Sequence, residues 1–243
     1  MSTETRKVAV VIGAGPGLGM SIAHRFGREG HAVALVSRSD ARHAGYVASL
    51  AEAGIDARAF VADVRDREQL VSALGAIIEE YGGVEVAYYG PVAMDPNALP
   101  KPIIEADASS VEQAMTWVYP AFDVVGAVLP GMLERGSGGV LIAGGLSSVV
   151  PMPALGGLAI SSAALRNYAL TLNAGLAERG IYAGTLTIGG LIERGDIHQA
   201  MTAQPTRFGG APIPSINPDD IADAAWELYA KRDRAEAVFN VLG

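Results

Sequence analysis

The feature that most constrains the fold is the alternation of short apolar runs with segments of helical length along the chain. The runs are apolar throughout, which is typical of parallel strands covered by helices on both faces. In the first intervening segment Leu18, Ile22 and Phe26 recur four residues apart, as on one face of a helix. This pattern predicts an α/β fold, a doubly wound parallel sheet of about seven strands in a single domain spanning residues 1–243. The runs are residues 8–13, 32–36, 57–63, 84–90, 139–145, 182–190 and 237–242.

Composition argues against several classes of function. Half of the 243 residues are hydrophobic and 18% are charged, so most of the chain must pack in a core or against other subunits. The formal charge of −8 and the lack of a polybasic run argue against nucleic-acid and membrane partners. Because there is no cysteine and no metal-ligand spacing among the histidines, we expect no disulfide and no metal site. The polar start without a signal peptide, and the lack of an apolar run near the roughly 18 residues of a membrane span, predict a cytoplasmic protein.

A glycine-rich stretch joins the first apolar run to the first helical segment. It places Gly13, Gly15, Gly17 and Gly19 between a buried strand and an amphipathic helix. Glycine lets the backbone turn sharply and approach a pyrophosphate, and the start of the next helix offers free N–H groups and a positive dipole end. The alternative is an ordinary glycine-rich turn. The strand before and the helix after favour dinucleotide binding in a Rossmann-type domain, with Leu18 as a further contact.

The end of the second strand indicates which form of the cofactor would bind. A carboxylate there would bind the ribose 2′-hydroxyl of NAD(H) and repel a 2′-phosphate, but this chain has Ser37, Arg38 and Ser39. A guanidinium beside small hydroxyls suits a phosphate dianion, although Arg38 could also be an ordinary solvated side chain. Asp40 lies beyond the strand, where we expect it to cap the next helix. The sequence therefore favours NADP(H) over NAD(H) as cofactor.

The spacing Gly13-x-x-x-Gly17-x-Gly19 resembles that of the short-chain dehydrogenase/reductase family, and the resemblance extends over nearly the whole chain. Its other landmarks are ADV (62–64), VLPGML (128–133), GGVLIAGG (138–145), AALRNYALTL (163–172) and NPDDIADAAWEL (217–228). The resemblance implies that Asp63 hydrogen-bonds the adenine. The further cofactor contacts that it implies are Val64, Tyr89, Gly90 and Gly189.

The resemblance also implies subunit contacts. The helices around 109–135 and 155–179 carry more apolar surface than one face of a sheet can cover. In the family these helices form the dimer contact, so we expect a homodimer or homotetramer.

In the family four side chains carry the chemistry: a Tyr as general acid/base, a Lys four residues later that lowers its pKa, a Ser that binds the substrate oxygen, and an Asn that holds a water. Overlaid on this chain, the Tyr and Lys positions hold Leu158 and Ser162. The Ser position holds Gly145, and the Asn position holds Trp117, which would fill the space of the Asn and its water. The usual proton-transfer groups are therefore missing, and the catalytic residues stay unassigned.

No shift of the alignment restores the Tyr–Lys pair. The lysines are Lys7, Lys101 and Lys231, and none of them follows a Tyr by four residues. The family's Asn-Asn-Ala-Gly signature after the fourth strand is replaced by YGPV (89–92). We interpret residues 156–180 as the family's active-site helix, kept for packing and subunit contact with its reactive groups exchanged.

Each of the other residues near the expected pocket could have either a functional or a purely structural role. Ser147 is a weak catalytic candidate, because a hydroxyl at the end of the fifth strand could bind a carbonyl, but with Ser148 it could equally form a turn. Alternation along the fourth strand puts only one of Tyr88 and Tyr89 towards the cofactor cleft, and from the overlay we choose Tyr89.

Titratable groups beside the pocket are few. Asp95, Glu193 and His198 flank it, and each could be a solvated loop residue. Residues 191–216, which include a Pro- and Gly-rich stretch, are predicted to form a lid or substrate segment.

Three functions are compatible with these features. The first is an atypical NADP(H)-dependent oxidoreductase that transfers hydride to a small apolar substrate without the Tyr–Lys pair. The second is a non-catalytic sensor or subunit that binds the cofactor. The third is a non-redox isomerase or lyase on the same fold. Fold alone cannot choose among them, because function is set by the site.

Overall fold

Parallel strands form the centre of the molecule. The computed structural model describes residues 7–91, 100–204 and 213–242. The strands of the main sheet are β1 (Val8–Ile12), β2 (Ala32–Ser37), β3 (Ala57–Val61), β4 (Val86–Tyr89), β5 (Gly138–Gly145), β6 (Ile181–Gly189) and β9 (Glu236–Asn240). All seven pair in parallel, in the order β3-β2-β1-β4-β5-β6-β9. Each overlaps one of the seven apolar runs, so the predicted fold class and strand number are confirmed.

Helices cover both faces of this sheet. They are α1 (Leu18–Arg28), α2 (His43–Glu52), α3 (Arg67–Tyr81), α4 (Ala108–Met115), α5 (Tyr119–Arg135), α6 (Gly157–Leu176), α7 (Asp196–Ala203) and α8 (Pro218–Lys231). One core lies under α3, α5 and α6, and the other lies under α1 and α8. Within β1, Val8, Val10 and Ile12 enter the first core and Ala9 and Val11 enter the second. Burial on both sides explains why the strands are continuously apolar.

Helix starts differ in how they are capped. Asp66 caps α3 by accepting from two backbone N–H groups, whereas the Asp107 side chain caps α4 and the Asn217 side chain caps α8 by accepting from one each. The N-cap of α2 is Arg42, and Asp40 contributes only its carbonyl, which accepts from the His43 N–H at 2.9 Å. The predicted side-chain cap at Asp40 is therefore wrong, because the helix starts later than expected.

A small parallel pair, β7 (Leu191–Ile192) and β8 (Ser215–Ile216), brackets α7. It thus joins the two ends of the predicted lid segment 191–216, of which residues 205–212 lie outside the described residues.

The stretch Ala108–Arg135, formed by α4 and α5, is long and apolar enough to cross a membrane by length and composition alone. This differs from the expectation that no apolar run approaches the length of a membrane span. In the fold, α5 packs against α3, β4 and β5, and α4 packs against α6. We therefore interpret the stretch as core helices of the α/β domain.

Candidate functional site

A cavity of about 360 Å³ opens at the carboxyl ends of β1, β4, β5 and β6. The chain order of the strands reverses between β1 and β4, and open α/β sheets bind ligands at such a crevice. The cavity extends from the glycine-rich loop after β1 to α6 and to the start of α7.

Glycines shape the first wall of the cavity. Gly13 has φ +93°, and a Cβ on it would lie 2.7 Å from the Gly90 carbonyl. A Cβ on Gly19 would lie 2.6 Å from the Gly13 carbonyl oxygen, whereas Gly15 has no such neighbour closer than 4.0 Å. The loop therefore folds tightly on itself and leaves the surface above Gly15 open, as close approach of a phosphate requires.

The start of α1 suits an anion. Its N-cap is Gly17, no side chain caps it, and its first turn holds no acidic residue. Gly17, Leu18 and Gly19 all line the cavity. Uncapped N–H groups and the positive end of the helix dipole favour a diphosphate at this position. The glycine loop of this chain therefore fits the pyrophosphate of a dinucleotide.

The residues predicted to read the adenosine ribose lie beyond this cavity, at the end of β2. The Ser37 hydroxyl donates to the Ser39 carbonyl at 3.0 Å and lies 2.7 Å from His43 Nε2. The Ser39 hydroxyl oxygen accepts from the Ala41 N–H at 3.1 Å. Arg38 is exposed, so its guanidinium is the freest of the three predicted groups to meet a phosphate.

Asp63 is already hydrogen-bonded where an adenine contact was predicted. Its carboxylate accepts from Arg65 Nη2 at 2.9 Å and from Arg65 Nε at 3.3 Å. Arg65, together with a weaker influence of Arg38, holds the pKa of this carboxyl below its usual range. Arg65 also lies over the Trp117 ring, 5.2 Å from its centroid. The neighbouring Val64 is buried, and neither it nor Asp63 lines the cavity.

Tyr88, not Tyr89, is the tyrosine whose side chain lines the cavity. Tyr89 packs into the core under α3 and α5, where its hydroxyl donates to the Trp117 carbonyl at 2.6 Å. The choice of Tyr89 for the cleft was therefore wrong for the side chain. Both rings are buried, and burial raises the pKa of each phenol, so each is protonated at neutral pH.

The four positions taken from the family overlay meet in this cavity. Trp117, Gly145, Leu158 and Ser162 all line it, although they are far apart in sequence. A Cβ on Gly145 would lie 3.3 Å from the hydroxyl oxygens of both Ser162 and Ser147. The weak candidate Ser147 thus lies in the cavity wall beside them, and Ser148 does not line it.

Among the residues that the structure describes, only Tyr88 and Asp196 bring a titratable side chain to the cavity wall. Glu193 does not line it and accepts from the Ser215 hydroxyl at 2.9 Å, and His198 does not line it either. Asp95 lies outside the described residues. Sequence reasoning missed Asp196, for which the only signal was its place in the predicted lid segment.

Two further observations complete the site. Gly190 lines the cavity in place of the predicted Gly189, whose α-carbon faces Leu146. Across the described parts of the chain, no group of three or more His, Cys, Asp or Glu side chains is placed to hold a metal ion.

Comparison with known proteins agrees with this geometry. Residues 7–202 match the family described as short chain dehydrogenase. The chain is 26% identical over 242 residues, 97% of this chain and 92% of the relative, to 2,5-dichloro-2,5-cyclohexadiene-1,4-diol dehydrogenase LinX of Sphingobium indicum. It is 34% identical over 143 residues to a Streptomyces coelicolor protein named as a ketoacyl reductase, a match that covers 58% of this chain and about half (54%) of that relative.

Among solved structures, a variant of actinorhodin polyketide ketoreductase with NADPH superposes with a TM-score of 0.81 at 24% identity, covering 100% of this chain and 98% of that one. At this identity the likeness concerns the fold. The match of residues 7–202, which is most of the chain, shows the family. The protein belongs to the short chain dehydrogenase family.

Proposed function

We propose that this chain is an NADP(H)-dependent oxidoreductase whose active site works without the Tyr–Lys pair of its family. Binding of the cofactor is inferred from the uncapped start of α1, which follows a glycine loop whose backbone leaves no room for a Cβ at Gly13 or Gly19. The NADPH in the ketoreductase structure, and the dehydrogenase and reductase names of the relatives, support a nicotinamide cofactor.

The preference for NADP(H) rests on Arg38 and on the lack of a carboxylate at Ser37. An exposed guanidinium at the end of β2 can form charge-assisted bonds to a 2′-phosphate. Isothermal titration calorimetry with NADPH and NADH tests this. We expect one site per subunit and tighter binding of NADPH. Failure of both cofactors to bind would overturn the proposed function.

The cavity wall around Leu158 determines which substrates could be reduced. When bound, the reduced cofactor supplies a hydride. A ketone oxygen in this cavity would develop negative charge beside Leu158 and Ser162, where a phenol and a lysine would otherwise stabilise it. Loss of acid catalysis commonly costs about 10²–10⁴-fold in rate. The site therefore favours small apolar substrates that accept hydride without a strong acid, such as activated alkenes or iminium ions.

Hydroxyl groups in the cavity wall, among them those of Tyr88, Ser147 and Ser162, could still donate hydrogen bonds to a substrate. Tyr88 and Ser147 both reach the cavity, and the raised pKa of Tyr88 keeps its proton in place at neutral pH. Neither has a cation within the described cavity wall to stabilise a charged form. They therefore suit binding and orientation better than proton transfer.

A cofactor-loaded sensor or subunit, or a non-redox isomerase or lyase, is the second candidate. The cavity wall is largely apolar and includes Leu155, Leu165 and Ile188. Such a wall favours this second candidate, because it can bind a molecule or hold a substrate in a folded conformation without acid–base side chains. A panel of enones, imines and ketones, followed by NADPH absorbance, separates the two. Oxidation of NADPH in the presence of enones or imines supports the oxidoreductase. No NADPH oxidation with any compound of the panel supports the second candidate.

A further inference from the structure

An ion pair joins the start of α2 to the start of α7, on opposite sides of the groove in which we propose that the cofactor binds. Asp196, the first residue of α7, lines the cavity, and its Oδ2 accepts from Arg42 Nη1 at 2.8 Å. Arg42 is the N-cap residue of α2 and lies just beyond the end of β2, on the side where the adenosine is expected. The bridge joins positions 154 residues apart in sequence.

The segment before α7 rests directly on the glycine loop. A Cβ on Gly17 would lie 3.1 Å from the carbonyl oxygen of Glu193 and from the α-carbon of Gly195. Between them, Arg194 donates to the Ser21 hydroxyl at 3.0 Å and to Asp219 at 2.7 Å. The start of α7 is therefore held to α1 and α8 on one side, and the Arg42–Asp196 pair fastens it to α2 on the other.

The turn that carries Arg42 is the one that carries the phosphate-reading residues. The Ala41 N–H binds the Ser39 hydroxyl oxygen, and the His43 N–H binds the Asp40 carbonyl. These bonds fix the backbone of the turn, while the Arg42 side chain is 54% exposed, so a ligand in solution can reach it. Asp196 is equally exposed, and exposed ion pairs are weak. A phosphate dianion is the stronger partner for a guanidinium.

We propose that Arg42 is a second residue that recognises the 2′-phosphate, and that it is shared. In the cofactor-free protein Asp196 holds it across the groove, and the phosphate takes it over on binding, which releases the start of α7. This inference rests on the proposed binding of NADP(H). It assigns Asp196 a positioning role, because its carboxylate acts on the cofactor through Arg42.

A double-mutant cycle tests the exchange. Dissociation constants for NADPH and NADH are measured by calorimetry for the unmodified protein, Arg42→Gln, Asp196→Asn and the double variant at low salt. Arg42→Gln should weaken NADPH roughly tenfold and change NADH by less than about twofold. Asp196→Asn should improve the preference for NADPH over NADH roughly threefold, because it frees Arg42.

The decisive comparison is the effect of Asp196→Asn when Arg42 is already Gln. The preference should then no longer change, whereas a persistent change would show that Asp196 acts on the cofactor directly and would overturn the inference. Equal losses for both cofactors in Arg42→Gln would also overturn it. Binding of neither cofactor to the unmodified protein would instead refute the proposed function.

Hydrogen exchange of the cofactor-free protein supplies a readout independent of binding. Amides of α7 should exchange faster in both Arg42→Gln and Asp196→Asn than in the unmodified protein. The matched control is Arg58→Gln, which breaks an exposed pair with Glu80, also at 2.8 Å, away from the groove. The control should change neither α7 exchange nor cofactor preference. Unchanged exchange in both test variants would contradict the bridge.

Discussion

At the scale of the residue, the glycine loop has positions where even one methyl group has no room. A Cβ on Gly19 would meet the Gly13 oxygen at 2.6 Å and the Ala14 α-carbon at 2.9 Å, both backbone atoms. Backbone cannot move aside as a flexible side chain can. Any larger residue must therefore change the loop that we propose holds the pyrophosphate.

Gly19→Ala should abolish NADPH binding and lower the free energy of unfolding by about 1–3 kcal/mol, because the loop must shift to accept the methyl group. Calorimetry and urea unfolding measure the two effects. Gly75→Ala is the control, since a Cβ at this exposed position in α3 meets nothing within 4 Å. It should leave binding unchanged and raise helix stability by about 0.5–1 kcal/mol. Normal NADPH affinity in Gly19→Ala would show that the cofactor binds elsewhere.

Arg38 is the residue on which the proposed cofactor preference depends. Arg38→Ala should weaken NADPH by about 1.5–3 kcal/mol and leave NADH nearly unchanged, because only NADPH carries the 2′-phosphate. Titration calorimetry with both cofactors measures the difference. If the two affinities fall equally, Arg38 is a general contact and the preference has another origin.

At the scale of the element, α6 is tied to the edge of the sheet by a charged group at the start of β9. Glu236 accepts two bonds from Arg166 of α6, at 2.7 and 2.6 Å, and one from the Thr187 hydroxyl at 2.6 Å. Only 27% of the Arg166 side chain and 19% of the Glu236 side chain are exposed, so the pair is better shielded from water than a surface pair. It holds the helix that brings Leu158 and Ser162 to the cavity.

Arg166 keeps the pKa of Glu236 below its usual range, with help from Thr187. The pair therefore stabilises the fold at neutral pH, and its contribution is lost as the pH falls through the folded-state pKa. Glu236→Gln should lower the free energy of unfolding by about 2 kcal/mol at pH 7 and by much less in acid.

Urea unfolding of both proteins as a function of pH measures that difference. Glu227→Gln, which removes a more exposed partner of Lys231 and Arg234 at 3.5 Å, is the control and should cost under about 1 kcal/mol. A loss in Glu236→Gln that stays constant down to pH about 3 would show that lost packing, not charge, explains it.

The elements show what could be predicted from the sequence. The seven strands were predictable because burial on both faces makes their whole length apolar. Because both faces of β4 are buried, the sequence pattern does not show whether Tyr88 or Tyr89 faces the cleft. Leu158 and Gly145, which the overlay assigns to the active site, both line the same cavity.

Contacts between distant parts of the chain were not predictable. The bond between Arg42 and Asp196 spans 154 residues, and nothing in either local pattern indicates a partner. The ion pair between Asp63 and Arg65 was not predicted either, for a different reason. Two residues this close in a turn can pair or point apart, and only the backbone geometry decides.

At the scale of the whole molecule, exposed apolar side chains remain on the helices expected to meet another subunit. Tyr119 and Phe122 of α5 are 58% and 49% exposed, and Ile160 of α6 is 42% exposed. Phe122 stacks on Tyr168 of α6 with ring centroids 3.8 Å apart, so the two helices share one apolar surface. Contiguous surfaces of this kind mark interaction sites.

We propose that this surface forms a homodimer or homotetramer. Light scattering at micromolar concentration should give a multiple of the monomer mass, 25.1 kDa. Phe122→Glu should reduce the mass, because it places charge in the contact. Val71→Glu, on an exposed apolar position of α3, should leave the mass unchanged. A monomeric mass for the unmodified protein would contradict the proposed assembly.

We propose that the protein binds NADPH in a site that lacks the groups needed to reduce an ordinary ketone. The most direct test is the initial rate of NADPH oxidation with a panel of ketones and aldehydes, measured at saturating cofactor. The unmodified protein should be nearly inactive, and the variant Gly145→Ser with Leu158→Tyr and Ser162→Lys should gain roughly 10²-fold or more. Leu158→Tyr alone should gain little, because a buried phenol without a cation has a raised pKa. Brisk ketone reduction by the unmodified protein would contradict the proposal that its site works without the Tyr–Lys pair.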